Sequence, residues 1–293
     1  MIEEIKKLKI GKVEENVDLR KYTTYKVGGI GMVLVSPNNI PSLIKLMKFI
    51  KKNNYKYKIL GNGSNLIFED YDGILIKLDK LDKLEINDTI VNVEAGYSLI
   101  KLAIKVSKLG LSGLEFATGI PGSLGGAIYM NAGAYKTDMG YIVSEVKALN
   151  SNLELVTLYN KDIQYHYRDS IFQHNEYIIL SAKLVLKRGN KDSIMEVIEN
   201  RKQSRLLTQP LEYPSAGSVF RNPNNDYAGR LIEELGYKGK KIGGAMVSLK
   251  HANFIINYDN ASGKDIINLI ENIQKDVKEK YDIDLICEQE IVK

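Results

Sequence analysis

Apolar positions recur along this chain with two periods, and each period names an element. After Gly28-Gly29, GMVLVSP reads as a strand, and Leu43, Leu46, Met47 and Ile50 then repeat at helical spacing through Lys52. YKILGNGSNLIF, residues 57 to 68, reads as a short apolar strand, a tight Gly61-Asn62-Gly63 turn, a polar Ser64-Asn65 pair and a second apolar run beginning at Leu66. GILIKL at 73 to 78 completes a β-α-β-β lobe. LEINDTIVNV, at 84 to 93, alternates around Asn87-Asp88 as a hairpin does. Leu99, Leu102, Ala103 and Val106 form a helical stripe that Gly110 terminates.

From Val143 to Leu186 the pattern predicts strands, VKAL, LELVTL and YIILSAKLVL, interrupted by the polar insert YHYRDSIFQHNEY. Ser193 with Glu196 has the form of a capping box opening a helix to about Arg205. PSAGSVFRNP (214–223) is a loop of small residues, AGRLIEELG a short helix closed by Gly236, and MVSLKHANFIIN two short strands around a turn. Ser262 and Asp265 cap a last helix with the stripe Ile266, Ile270, Ile273 and Val277, and IDLICEQEIV reads as a closing strand. The class is α+β, with elements clustered by lobe. An N-terminal extension (1–22) precedes a domain at 23–188, in lobes of about 23–80 and 81–188, and a smaller domain spans 189–293.

Composition narrows the classes. The net charge of +5 comes from 41 basic and 36 acidic residues spread along the chain, too diffuse for a nucleic-acid patch but favourable to anionic small molecules. Met1 to Arg20 holds lysine and glutamate without an apolar core of signal-peptide length, and no later run reaches a membrane span. The expected location is the cytoplasm, away from any membrane. The single Cys287 excludes an internal disulfide, and His166, His174 and His251 lack metal-ligand spacing, so no metal is expected.

The candidate chemistry sits in glycine loops. GIPGSLGGAIYMNAGAY, residues 119 to 135, carries Gly119, Gly122, Gly125 and Gly126 in an almost uncharged stretch. Glycines that take positive φ let backbone N–H groups wrap an anion, which makes this a candidate pyrophosphate cradle; a buried turn between two core elements has the same composition. The loop at 61 to 65 has the same character, and two such loops suit one long diphosphate ligand. Two other phosphate motifs fail. G-x-G-x-x-G meets Leu66 at its sixth position, and G-x-x-x-x-G-K-[ST] meets Glu234 where its first glycine belongs, which disfavours a Rossmann dehydrogenase and a nucleotide triphosphatase.

ILGNGSNLIF and GIPGSLGGAIYMNAGAY resemble the two flavin-diphosphate segments of the vanillyl-alcohol-oxidase type of FAD-binding fold. YHYRDSIFQHNEY, PSAGSVFRNP and AGRLIEELGYKGKKIGGAMVSLKHANFIIN resemble one member family, the UDP-N-acetylenolpyruvoylglucosamine reductases of peptidoglycan synthesis, and the likeness runs from about Thr23 onward. It implies a two-lobed FAD-binding domain followed by a smaller α+β substrate-binding domain. The implied reaction takes UDP-N-acetylglucosamine enolpyruvate to UDP-N-acetylmuramate, with NADPH as electron donor through noncovalent FAD. Neither glycine loop carries a histidine or cysteine to anchor a flavin.

By the same resemblance, Ser218 in AGSVF is the proton donor, and Arg168 in YRDS and Glu288 in CEQEIV stabilise the enolate. The cofactor contacts would be Gly61, Asn62, Gly63, Ser64, Asn65 and Leu66 in the first loop. In the second they would be Gly119, Ile120, Pro121, Gly122, Gly125, Gly126, Asn131, Gly133, Ala134 and Tyr135. Asn222 would lie near substrate, with Arg205, Gln209 and Lys250 as further candidates for phosphate or nicotinamide contacts. An arginine fork suits a carboxylate gaining charge, and burial would keep Glu288 protonated for donation. Without the resemblance, Arg168 also reads as a surface ion-pair member, Glu288 as an alternating strand residue sharing a face with Glu290, and Ser218 as a structural loop residue.

Two departures stand out. Arg168 reaches the YIILSAKLVL strand in about ten residues, ordinary loop length with little room for the tyrosine-bearing lid of some relatives. The chain thus resembles the lid-less branch, with the third lobe expected to close over substrate. Lys136 stands where relatives often use glycine, with only a local change expected. Two rivals use the same residues: an FAD-dependent alcohol oxidase of the same fold, and a noncatalytic nucleotide-sugar-binding protein that kept it.

Overall fold

Leu43, Leu46, Met47 and Ile50 are all buried along one face of a helix from Ile40 to Lys52 in the computed structural model, which describes residues 1–292. The chain begins with α1 (Ile2–Lys7), β1 (Gly11–Asp18), β2 (Ile30–Pro37), α2 (Ile40–Lys52), β3 (Tyr57–Leu60), β4 (Leu66–Phe68) and β5 (Tyr71–Lys77). It continues through β6 (Leu84–Asn87), β7 (Ile90–Glu94), α3 (Leu99–Lys108), β8 (Leu111–Ser112), α4 (Leu124–Tyr129), β9 (Gly133–Ala134), β10 (Thr137–Asp138), β11 (Val143–Leu149) and β12 (Leu155–Tyr159). Then come α5 (Asn160–Ile163), β13 (Ile178–Val185), β14 (Lys187–Arg188), α6 (Lys191–Thr208) and α7 (Ala228–Glu234). The last elements are β15 (Lys241–Ile242), β16 (Ala245–Val247), β17 (Ile255–Asn257), α8 (Gly263–Tyr281) and β18 (Glu290–Val292).

Two compact units interleave in sequence: residues 1–15, 33–62 and 73–202 form unit one, and residues 16–32, 63–72 and 203 onward form unit two. Unit one carries a sheet of order β1-β2-β5-β3, with β3 and β5 parallel and Leu60 opposite Lys77, and an antiparallel sheet of order β12-β11-β13-β7-β6. β5 buries Gly73 through Ile76 without a break, as a strand covered on both faces must. β7 instead alternates, with Val91 and Val93 inward opposite Leu184 and Ala182 of β13. Asn39 caps α2 through the Ser42 amide (2.9 Å) and Ser98 caps α3, while Gly110 past the end of α3 takes φ +73°. One core joins these parts, with Val33, Leu46, Ile74, Leu102, Val146 and Leu184 all buried.

Unit two is built on α8, whose buried Ile266, Ile270, Ile273 and Val277 share a core with Ile67, Phe220, Leu231, Val247 and Ile255. Ser262 and Asp265 form the expected reciprocal capping box. β15-β16-β17 is a small antiparallel sheet, and β18 pairs in parallel with β4, Ile291 opposite Ile67.

Four expectations meet a different structure. Asn190, not Ser193, caps α6: its Oδ1 accepts the Ser193 amide at 3.0 Å, so Ser193 is already a helical residue. Of IDLICEQEIV only 290–292 is a strand, because 286–288 pair with the loop at 219–221 instead of with a sheet. The first 22 residues form α1, β1 and a 3-10 turn, and β1 is an edge strand of the first sheet. The division near 200 falls inside α6, between 202 and 203, and not at 188. No helix among the described residues is long and apolar enough to cross a membrane.

Candidate active site

The first glycine loop leaves the end of β3. Lys77, paired opposite Leu60 at the end of the neighbouring β5, donates from Nζ to the Gly61 carbonyl (3.2 Å), and burial lowers its pKa. Gly63 takes φ +61°, and a Cβ there would fall 1.9 Å from the Tyr22 carbonyl oxygen, so only glycine fits. The amides of Asn62, Gly63 and Ser64 meet no acceptor among the described residues. Asn65 lies in unit two, where its Nδ2 donates to the Glu288 carbonyl (2.9 Å), and Leu66 pairs with Glu290 in the parallel ladder.

The second loop lies in unit one against the start of the first, since a Cβ on Gly61 would stand 2.8 Å from Ser123 Oγ. Its glycines do not serve for rotation. Gly119, Gly122, Gly125 and Gly126 all lack positive φ, contrary to expectation. A Cβ on Gly125 would sit 3.0 Å from the Ala95 Cβ, so that glycine lets α4 pack against residue 95. The loop's amides also serve the chain itself: Gly122 donates to Ile120, Leu124 to Tyr97, Gly125 to Ala95, and Gly126 to Ser123 Oγ. Ile120 donates to Ala117, and Pro121 is exposed.

Left-handed backbone comes later in this stretch, at Asn131 (φ +43°), Tyr135 (+56°) and Lys136 (+61°). Asn131 is buried with its amide spent on the His166 carbonyl (2.8 Å) and the Gly140 amide (3.0 Å). Gly133 and Ala134 form β9 opposite β10, where a Gly133 Cβ would collide with Asp138. Tyr135 is exposed, with the Arg201 guanidinium 4.4 Å above its ring.

Arg168 belongs to this part of unit one. Its Nη2 donates to the Gly133 carbonyl (2.7 Å), its guanidinium lies 5.1 Å from the Tyr167 ring centre, and its own φ is +56°. Burial raises the Asp138 pKa, opposed by the Gly140 amide, Asn131 and Arg168. Tyr165 places a buried hydroxyl here with no hydrogen-bond partner among the described residues, and burial pushes its pKa up.

In unit two, Ser218 and Glu288 stand on two segments laced together. The Glu288 amide donates to the Val219 carbonyl (2.8 Å), and the Arg221 amide donates to Ile286 (2.9 Å). Both side chains are half-buried. Cys287 lies between, its thiol pushed up to about 11 by burial. Asn222 is exposed and accepts the Ala228 amide through Oδ1 (3.2 Å), holding the start of α7. Arg205 Nε donates to Gln209 Oε1 (2.9 Å), and Lys250 Nζ reaches the Leu206 carbonyl (3.2 Å) and Glu212 (3.1 Å), so these three candidates gather at one place. His251 has a packing role: Nδ1 accepts the Asn253 amide (3.2 Å), and its ring lies 4.9 Å from Phe254.

Over its whole length the chain is 46% identical to the UDP-N-acetylenolpyruvoylglucosamine reductase of Bacillus licheniformis, covering 98% of that protein. The chain belongs to the UDP-N-acetylenolpyruvoylglucosamine reductase family. The family's C-terminal domain profile matches residues 209–292, and the FAD binding domain profile matches 32–159. The crystal structure of the reductase from Thermus caldophilus superposes with a TM-score of 0.84 at 32% identity, covering 96% of this chain and 99% of that one. A xylooligosaccharide oxidase from Myceliophthora thermophila shares the fold alone, with a TM-score of 0.50 at 13% identity over 64% of this chain and 43% of its own. This member of the reductase family is thus an FAD-dependent oxidoreductase with a vanillyl-alcohol-oxidase-type FAD-binding domain and a family-specific C-terminal domain.

The first loop fits the cofactor. Open amides at 62–64 offer donors to a diphosphate, and a Cβ at 61 would press on Ser123 Oγ. Sequence reasoning missed Lys77, Tyr25, Asn253 and Gln289, whose hydrogen bonds hold the loops that bear the candidate residues. The available signal was a lone polar residue inside an apolar run, as Asn253 is in HANFII.

Proposed function

We propose that this reductase converts UDP-N-acetylglucosamine enolpyruvate to UDP-N-acetylmuramate, a cytoplasmic step that supplies peptidoglycan synthesis. The loops at 61–66 and 119–135 would hold FAD noncovalently, and the bound flavin would supply hydride, drawn from NADPH, for the terminal vinyl carbon of the substrate. That carbon becomes a methyl group, and negative charge spreads over the carbon beside the carboxylate and its oxygens.

The chain's own residues then complete the step. Arg168 binds the carboxylate and holds the developing charge, its guanidinium preset by the Gly133 carbonyl and the Tyr167 ring. Ser218 Oγ delivers the proton to the carbon beside the carboxylate, and Glu288 steadies the enolate by donating a hydrogen bond in its protonated form. Unit one carries the loop at 119–135 and the start of the first loop, whose residues 63–66 belong to unit two, and unit two binds the UDP-sugar, with Arg205, Gln209 and Lys250 for the phosphates and Asn222 near the sugar. The carrying observation is the tie between the Glu288 amide and the Val219 carbonyl, which holds the segments bearing acid and proton donor in fixed register.

The test is turnover of purified protein. FAD should copurify, bleach with NADPH, and recolour on adding the enolpyruvyl substrate without oxygen, with UDP-N-acetylmuramate identified by mass. Bleaching without substrate-driven recolouring would remove this substrate.

A further inference from the structure

Gln289 is 4% exposed and adjoins Glu288, yet its side chain turns to the loop that carries Ser218. Its Nε2 lies 3.2 Å from the Ala216 carbonyl, 3.3 Å from Gly217 and 3.4 Å from Ser218. An amide nitrogen has two protons, so three successive carbonyls share them. Gly217, at φ +77°, supplies the left-handed turn between the outer two. On its other side the Gln289 Oε1 accepts from the Tyr25 hydroxyl at 3.0 Å, and Tyr25 is fully buried. The loop carbonyls fix which end of the amide faces them, because only the N–H end can donate, and the Tyr25 bond holds Oε1 on the other side.

The network closes. Tyr25 donates, Gln289 accepts and donates, and the loop carbonyls accept, so the described amide satisfies every polar atom it buries. Such a network rigidifies what it holds. The Ser218 carbonyl is held by Gln289, and the next carbonyl, of Val219, is held by the Glu288 amide (2.8 Å). Two successive carbonyls, of Ser218 and Val219, are therefore held by two successive residues of one segment.

We propose that Gln289, oriented by Tyr25, is a positioning residue that sets the Ser218 hydroxyl for proton delivery. The proposal rests on the reading of Ser218 as proton donor. A proton donor must meet its carbon within a few tenths of an ångström, and a displacement of about 1 Å costs on the order of a hundredfold.

The holoenzyme variants Gln289→Met, Gln289→Glu and Tyr25→Phe test it by stopped flow, alone and combined with Ser218→Ala. Gln289→Met should slow substrate-driven reoxidation about tenfold to a hundredfold and leave reduction by NADPH and FAD content close to wild type, with a lowered melting temperature because the loop carbonyls and the Tyr25 hydroxyl lose their partner. Gln289→Glu keeps the shape but at pH 8 lacks the N–H donors, and should match Gln289→Met. Tyr25→Phe should act in the same direction about threefold, because only the orienting bond is lost, and it serves if the Gln289 variants do not fold. In the Ser218→Ala background none should slow reoxidation further. An equal further loss in that background, or equal slowing of both half-reactions, overturns the positioning role. Near-normal reoxidation in Ser218→Ala alone removes the proton-donor reading itself, and the positioning role with it.

Discussion

Asn253 pairs with Phe220 as one strand residue pairs with another: its Nδ2 donates to the Phe220 carbonyl (2.8 Å) and its Oδ1 accepts the Phe220 amide (2.9 Å). Its own carbonyl takes the Val219 amide (2.9 Å). All of this is buried. Asn253→Ala should therefore lower unfolding stability by about 2–4 kcal/mol, because it strands two backbone groups away from water. Urea denaturation measures it, and a loss below about 0.5 kcal/mol would show that solvent replaces the amide.

Gly61→Ala places a Cβ 2.8 Å from Ser123 Oγ and should weaken FAD binding in the apoprotein, read by flavin fluorescence. The Ser123 Cβ lies farther off, at 3.9 Å, so Ser123→Ala should restore part of the affinity in the double variant. Gly125→Val should fail differently. Its branches meet Ala95, so the apoprotein should melt early before any cofactor is added. Normal apoprotein melting in Gly125→Val with lost FAD binding would return that glycine to the cofactor.

Arg168→Ala should leave flavin reduction by NADPH intact and slow reoxidation by substrate on the order of a hundredfold. Alanine inherits the same φ of +56°, so the backbone strain is unchanged. Equal loss in both half-reactions would place Arg168 in service of the fold.

Lys136 holds φ +61° without the freedom of glycine. Lys136→Gly should raise stability by about 0.5–1 kcal/mol with turnover unchanged. A lower melting temperature would mean that the lysine side chain contributes more than its backbone costs.

Burial, with Lys238 nearby, lowers the His251 pKa from 6.5, and Glu233 opposes this only in part. The unfolded chain then takes up its proton first, so this stabilising contribution is complete above about pH 6.5 and is lost as pH falls toward the folded value. His251→Gln should flatten that part of the stability profile. An unchanged slope in the variant would assign it to other groups.

These outcomes also show where sequence pattern stops. The stripes of α2, α3 and α8 were legible because each helix buries one face and the spacing records it. The cap of α6 was not, because Asn190 and Ser193 both qualify by type and only the path of the chain out of β14 chooses between them. IDLICEQEIV alternates like a strand, but its partner is an irregular loop some 70 residues earlier, and alternation cannot name a partner. The glycines of 119–126 suggest freedom of rotation, but none of Gly119, Gly122, Gly125 and Gly126 takes positive φ, and at Gly125 it is the lack of volume that lets Ala95 approach. Ser218, Arg168 and Glu288 carry no local signal of their own beyond the family resemblance, and the residues that hold them, Gln289 and Asn253, look like ordinary polar interruptions.

The parallel pairing of β18 with β4 sets a timetable for the growing chain. Leu66 cannot find Glu290, nor Asn65 the Glu288 carbonyl, until more than 220 further residues have left the ribosome. Closing so long a loop is slow. The segment after the first glycine loop must wait for that partner, and during the interval it is open to mispairing with a neighbouring chain. The arrival of residues 288–290, more than the strength of any single contact, sets when this segment is first paired.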